Sequence, residues 1–444
     1  MDIEIDPRLS EFRNAEIFAP PSKSYTHRAI SVAALSTGLC KIKNPLLSDD
    51  TNSTIGACKA LGAKIKRRGK DLEIIGFDGS RGIRAPNEAI DARNSGTTLR
   101  FFTAISSLCV ECVELTGDSS LKKRPNIPLL NALKDLGVKV SSNEGKAPIK
   151  VCGRIDGGET EIDASISSQF VSALLLSVPF AKNDTRIYVR GKVRSRPYIE
   201  MTLHTMKEAG AKVSILNNYY LIPSDQTFKL REFVIPGDFS SSSYFMAAAS
   251  LLNFNLVING LRDSRQGDKA FISILDKIGS NIRWDKERGT LNISKGEFSK
   301  IFDFRDPAPK ASGLTGFKAD ASNIPDLFPT LVVLATKCKG ESEIYNAEHL
   351  RYKESDRIKT LGAELKKMGA KIFERRDGMA IEQSDLNGCV LESHGDHRIA
   401  MALSIAALIS NGKSVIKDAE CVKVSYPTFF EDLRKIGACV EVFD

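Results

Sequence analysis

Apolar and polar positions along this chain follow one arrangement six times over. A short polar cluster opens an apolar helix at Ser24, Ser95, Ser167, Ser240, Pro325 and Asp396. A second, amphipathic helix follows each time and stops at a glycine: Gly62, Gly137, Gly210, Gly279, Gly369 and Gly437. The spacing is about 70 residues, widening to about 90 between Gly279 and Gly369, which is longer than solenoid repeats. It predicts a duplicated small folding unit rather than a stacked array. The second copy shows the order of elements. Asn94-Ser95-Gly96-Thr97 leads into Leu99, Phe101, Phe102, Ala104 and Ile105, apolar on most faces and so expected to be buried. A strand is predicted at 113–116 and an amphipathic helix at 126–136, closed by Gly137. A hairpin then pairs 138–140 with 149–151. Hairpin turns are expected likewise at Arg68-Gly69, Asn217-Asn218, Arg288-Gly289 and Asp377-Gly378.

Alternation of helical and strand periods makes the class α/β. A chain of 444 residues is too long for one ordinary core. Six units divide evenly into two domains of three, with the boundary at Pro236-Gly237. The N-terminal domain is expected at 22–236. The strand 15–18 precedes the first helix and is available to the other domain, so the C-terminal domain is expected at 1–21 plus 237–444.

Composition narrows this only slightly. Hydrophobic residues are 42% and charged residues 27%, the balance of a soluble globular protein. A formal charge of +8 over this length suits a small acidic substrate and does not call for nucleic acid. No apolar run reaches the ~20 residues of a membrane span. The acidic, alternating start Met1-Asp2-Ile3-Glu4-Ile5 is unlike a signal peptide. Of nine scattered cysteines only Cys109 and Cys112 form a CxxC, with no second pair or histidine to complete a metal site. They are expected to be buried free thiols, in keeping with a reducing cytoplasm. Neither GxGxxG nor a Walker motif appears.

The candidate chemistry lies where local rules are broken. A cation at a helix N-terminus opposes the macrodipole at a cost of about 0.3–1 kcal/mol. Yet Lys23 and Arg28 flank the first helix start, Arg100 follows the second, and Arg398 stands in the first turn of the sixth. Lys353 and Arg357, four apart, would share a helix face. Repetition at matching points suggests bound anions that offset the cost, since a charge-assisted hydrogen bond contributes about 1.5–3 kcal/mol. Pairing with nearby carboxylates is the plainer explanation. Ser167, Ser168 and Gln169 supply more donors than a helix cap requires. Asp326 and Glu354 are candidate proton carriers, although an acid at a helix start is also favoured by the dipole. Gly96 permits close backbone approach to a ligand.

These residues resemble the motifs of 5-enolpyruvylshikimate-3-phosphate synthases. Pro21-Ser22-Lys23-Ser24-Tyr25-Thr26-His27-Arg28-Ala29 resembles the family's SKS-x-x-x-R-A segment, and Asn94-Ser95-Gly96-Thr97-Thr98-Leu99-Arg100 its N-x-G-T-x-x-R motif. Gly117 with Arg124-Pro125, Ser167-Ser168-Gln169, Ser195 with Pro197-Tyr198, Ile324-Pro325-Asp326, 351–357 and Asp396-His397-Arg398 match in order. The resemblance implies two similar domains, each of three βαβαββ units, closing over a cleft. It implies transfer of the enolpyruvyl group of phosphoenolpyruvate to the 5-hydroxyl of shikimate 3-phosphate, with no cofactor and no metal. It assigns Lys23, Ser24, Arg28, Ser167, Ser168, Gln169, Ser195, Asp326 and Lys353 to shikimate 3-phosphate. Lys23, Gly96, Arg124, Gln169, Arg357 and Arg398 go to phosphoenolpyruvate. Asp326 would take the hydroxyl proton, with Glu354 and Lys23 as candidates for proton transfer at the methylene. A cytoplasmic monomer without nucleic-acid or membrane partners is implied, as is a glyphosate target. Pro21 and Phe101 depart from the family pattern. His349 and the Lys423-Val424 pair align with family binding positions but carry no role over. Two other readings are a UDP-amino-sugar enolpyruvyl transferase, against which Ser24 after Lys23 argues, and an RNA 3′-phosphate cyclase-like enzyme, for which His397 is the tempting histidine.

Overall fold

The computed structural model of the chain describes residues 1–217, 219–252, 254–294 and 313–443. The turn expected at Asn217-Asn218 includes a residue outside that set, and the span 237–444 includes 253, 295–312 and 444, likewise outside it. The chain forms two compact units, one of Pro21–Pro236 and one of Met1–Pro20 with Gly237–Asp444.

Among the described residues, each unit holds three four-stranded sheets with one topology. In the sheet that follows the plan in sequence, Ile90–Asp91 runs parallel to Val113–Thr116. The antiparallel hairpin Lys139–Asn143 and Lys146–Cys152 completes it. Strands distant in sequence complete the sheets at the ends of each unit. Glu232–Val234 lies parallel to Leu39–Lys43 in one. In the other, Ala15–Phe18 lies parallel to Asn255–Asn259, and Asp2–Ile5 sits between Ser414–Lys417 and Val440–Phe443.

The outer helices end as their sequences dictate. All six expected glycines have positive φ, from +83° at Gly210 to +110° at Gly62. In each the next amide reaches back into the last turn, as Ala63 N–H does to the Cys58 carbonyl at 3.0 Å and Ala438 N–H to that of Leu433 at 3.1 Å. A side chain in that left-handed conformation would be strained, which is why glycine stops these helices.

The apolar helices go inside, three per unit: Lys23–Leu35, Gly96–Ile105 and Ser168–Ser177 in one, Phe239–Leu251, Phe328–Ala335 and His397–Leu408 in the other. Every residue of Phe239–Leu251 is buried, because this helix has no polar face to turn outward. Each unit thus has its own apolar core.

Several expectations need correction. The first helix is capped by Ser22 and the fourth by Asp238, so Ser24 and Ser240 stand within the first turn. Pro325 opens a short 3-10 turn, Pro325–Leu327, ahead of the fifth helix. Lys353 and Arg357 do not share a helix face. Asp356 caps the helix by accepting from Lys359 N–H at 3.0 Å, so the helix begins at Arg357. The CxxC is not a pair of free thiols. Cys109 is buried and free, its thiol pushed up to about 12 by burial. Cys112 is instead bonded to Cys152, 40 residues away. Val113 and Val151 are direct antiparallel partners, which brings the adjoining cysteines opposite one another. The thiol pattern therefore no longer argues for a reducing compartment.

Candidate active site

Helix starts meet in each unit, and the candidate side chains gather there. In the Pro21–Pro236 unit, Lys23 in the first turn of its helix donates from Nζ to Asp50 Oδ2 at 3.0 Å. Asp50 stands in the first turn of Asp49–Ala60, where the dipole favours an acid. Only the fold shows that it is the partner of Lys23. Gly96 opens the second buried helix behind the cap Ser95. A β-carbon there would lie 3.1 Å from Arg124 Nη1, 3.9 Å from Arg100 Nη1 and 3.9 Å from Gln169 Oε1, so those side chains converge on its backbone. Arg124 donates from Nη2 to Asn94 Oδ1 at 2.7 Å. Arg100 donates from Nη1 to Gln169 Oε1 at 2.6 Å and to Ser167 Oγ at 3.3 Å. Gln169 in turn donates to Thr97 Oγ1 at 3.0 Å. Ser167 caps its helix by accepting from Gln169 N–H, and Ser168 follows it, also buried. Ser195 stands at the N-terminal boundary of the helix Arg196–Glu208 in the left-handed region, φ +57°, without a side-chain capping bond. A non-glycine residue held there stores strain of order 1–3 kcal/mol, a feature that clusters at functional sites.

Arg28 does not share the open setting of Lys23. It is 2% exposed, and burial pushes it down to about 10. It donates to Thr202 Oγ1 at 2.8 Å and to the Ser24 and Tyr198 carbonyls at 2.7 and 2.8 Å. Its guanidinium lies over the Phe101 ring, 5.4 Å from the centroid. That contact gives Phe101, the departure in the second motif, a packing role.

His27, one residue before Arg28, is buried, and its Nδ1 meets Thr54 Oγ1 at 2.7 Å. Thr54 continues to Thr98 and Thr98 to Ser95, at 2.7 and 2.8 Å. Burial, reinforced by Lys23 and Arg28, holds His27 well below its ordinary 6.5. The folded state resists the proton that the unfolded chain accepts, so this stabilising contribution is full above pH 6.5 and shrinks as pH falls through that value. The parent is expected to lose up to about 1.4 kcal/mol more per pH unit than His27→Gln between pH 6 and 5. Urea unfolding of both at several pH values measures the difference, and equal slopes would remove His27 from the pH dependence.

In the other unit one carboxylate joins two arginines. Asp326 accepts from Arg357 Nη1 at 3.1 Å and from Arg398 Nη2 at 2.8 Å. Arg357 also donates to Glu354 Oε2 at 2.7 Å and, through Nε, to Asp396 Oδ2 at 2.8 Å. Burial would push the Arg357 proton off, but Asp396, Glu354 and Asp326 outweigh it and hold the group above its usual value. Arg398 reaches Ser240 Oγ at 3.1 Å, so the starts of all three buried helices of this unit meet around it. Lys353 lies just before the arginine helix. The plainer explanation of misplaced cations therefore holds in part, since Lys23, Arg357 and Arg398 all have carboxylate partners. Sequence reading missed Asp50 and Asn126, and gave Asn94, the first residue of its motif, no partner. Asn126 accepts from Arg100 Nε at 3.3 Å. No signal in the chain marks Asp50 or Asn126, because they are ordinary helix-start residues until the fold brings them to a cation.

Among the described residues, no helix is long and apolar enough to cross a membrane, and no group of three or more His, Cys, Asp or Glu is placed to hold a metal ion.

Comparison with known proteins shows the family. Residues 11–433 match the family EPSP synthase (3-phosphoshikimate 1-carboxyvinyltransferase). A 3-phosphoshikimate 1-carboxyvinyltransferase of Methanocella arvoryzae is 46% identical over 426 residues, 96% of each chain. That of Methanocaldococcus jannaschii is 41% identical over 430 residues, again 96% of each chain. Among solved structures, an EPSP synthase from Acinetobacter baumannii superposes with a TM-score of 0.81 at 26% identity, covering all of both chains.

Proposed function

The chain belongs to the EPSP synthase family, and from that premise we propose which of its residues carry the family's reaction. It transfers the enolpyruvyl group of phosphoenolpyruvate to the 5-hydroxyl of shikimate 3-phosphate, releasing phosphate, a step of aromatic amino acid biosynthesis.

One observation supports the assignment best: Asp326 sits between two arginines, Arg357 and Arg398, that also bear on the helix starts of its unit. The two ion pairs fix the Asp326 carboxylate at the helix starts, where it is the acid placed to take the 5-hydroxyl proton. Arg357 and Arg398, with Arg124 and the backbone at Gly96, hold phosphoenolpyruvate; arginine suits its carboxylate and phosphate because both accept two parallel hydrogen bonds. Lys23, Ser24, Ser167, Ser168, Gln169, Ser195, Lys353 and Asp326 hold shikimate 3-phosphate, and Lys23 and Gln169 serve both substrates. Arg28, whose bonds run to carbonyls and a hydroxyl, serves shikimate 3-phosphate chiefly by fixing Ser24 and Tyr198. Glu354 and Lys23 are the candidates for proton transfer at the methylene. Addition forms the C–O bond as the hydroxyl proton passes to Asp326 and a proton reaches the methylene. Elimination breaks the C–O bond to phosphate as the new methyl group returns a proton to its carrier, and the proton held by Asp326 passes to the departing phosphate, so both roles reverse. The two units are the two domains of the enzyme, which works as a cytoplasmic monomer.

Phosphate release is expected only when both substrates are present. Release supported by ATP or by UDP-N-acetylglucosamine, with none from the expected pair, would replace this reading with a cyclase-like or amino-sugar activity.

A further inference from the structure

The helix Arg357–Lys367 carries two charged residues on one face that bind the same neighbouring segment. Arg357 and Glu364 are seven residues apart, two turns of α-helix, so they point the same way. Arg357 grips Asp396, the cap of the helix His397–Leu408, from Nε at 2.8 Å and Nη2 at 3.3 Å. Glu364, only 2% exposed, grips the chain just before that cap. Its Oε2 accepts from Glu392 N–H at 3.0 Å, and its Oε1 lies 3.0 Å from His394 Nε2. Lys367 donates to both oxygens at 2.8 Å. Burial alone would raise the Glu364 carboxyl, but Lys367, Glu392 N–H and His394 together hold it below its usual range. His394 adopts φ +53°, a conformation that histidine takes up at some cost, and Ser393 ties the turn to Asp396 N–H at 3.0 Å. A strained turn persists only where its surroundings over-determine it. Glu364 supplies that constraint from the helix that begins with Arg357.

We propose that Glu364 and His394 are positioning residues for the enolpyruvyl transfer: their bond sets the place of Asp396, and through it of Arg357, without touching substrate. The proposal rests on Arg357 being a phosphoenolpyruvate ligand. A buried carboxylate with three donors and no part in the chemistry is accounted for by it, as is a left-handed histidine two residues before a site aspartate.

Steady-state kinetics of the full chain tests the proposal. His394→Gly keeps the backbone conformation and removes the ring, whereas His394→Gln keeps a donor of similar reach. Expected is a KM for phosphoenolpyruvate raised about tenfold in His394→Gly and in Glu364→Ala, with the KM for shikimate 3-phosphate within about twofold of the parent. His394→Gln should recover most of the loss. Lower melting temperatures with unchanged KM values would mean a merely structural bond and overturn the proposal. Arg357→Lys is the control. If it raises the KM for phosphoenolpyruvate and His394→Gly does not, only the positioning role falls. If Arg357→Lys leaves that KM unchanged, the ligand assignment and this inference fall together.

Discussion

Lys23→Met is expected to turn over at least about a thousandfold more slowly than the parent while melting within a few degrees of it. The size follows from adding two losses. A positioned proton carrier contributes roughly 10²–10⁴ in rate. A charge-assisted hydrogen bond to an anionic substrate contributes about 1.5–3 kcal/mol, or about one to two further decades in substrate affinity or rate. Methionine fills nearly the same volume as the lysine stem, so packing of the first buried helix is retained. The partner left behind, Asp50, is buried, but it stands in the first turn of a helix whose dipole favours a negative charge, and this offsets part of the loss of Lys23. Phosphate release with both substrates saturating, measured beside a thermal melt, separates the two effects. A near-normal rate would take Lys23 out of the mechanism.

Arg357→Ala should do the opposite and damage stability first. Its guanidinium is the shared partner of Asp326, Glu354 and Asp396, and Asp396 is wholly buried. Removing one member of a buried ion network leaves uncompensated charge and typically costs about 3–5 kcal/mol. Urea unfolding should show the free energy of the transition that reports this unit lowered by that amount, and turnover should fall below detection in the same protein. Arg357→Ala combined with Asp396→Asn relieves one of the stranded charges and should recover part of the stability without recovering turnover. Stability equal to the parent in Arg357→Ala would mean that the three carboxylates are satisfied elsewhere and that the cluster is not organised around this arginine.

Asp326→Asn and Arg357→Ala act on neighbours, so their effects are not expected to add. The reason is visible in the two bonds Asp326 makes, one to each arginine. Neither Asp326 nor Glu354 could be told from an ordinary helix-start acid by its neighbours in sequence. The resemblance to a family, carried by runs such as Asn94–Arg100 and Asp396–Arg398, is what singled them out. The cations were legible without it, because a positive charge at a helix start is locally unfavourable and so stands out.

What the chain determined by itself was the repeated unit: buried helices where residues are apolar all round, outer helices ended by glycine, hairpins where alternation turns back. Those features depend on interactions within a few residues, or on burial alone, and periodicity records both. Tertiary structure decided the rest. It placed Asp50 against Lys23, Asn94 against Arg124, Glu364 against His394 and Cys112 against Cys152, and it moved helix starts to Ser22, Asp238 and Arg357. Each of those pairings joins residues 27 or more positions apart, at a distance set by sheet register and helix packing, which no local pattern of residues encodes.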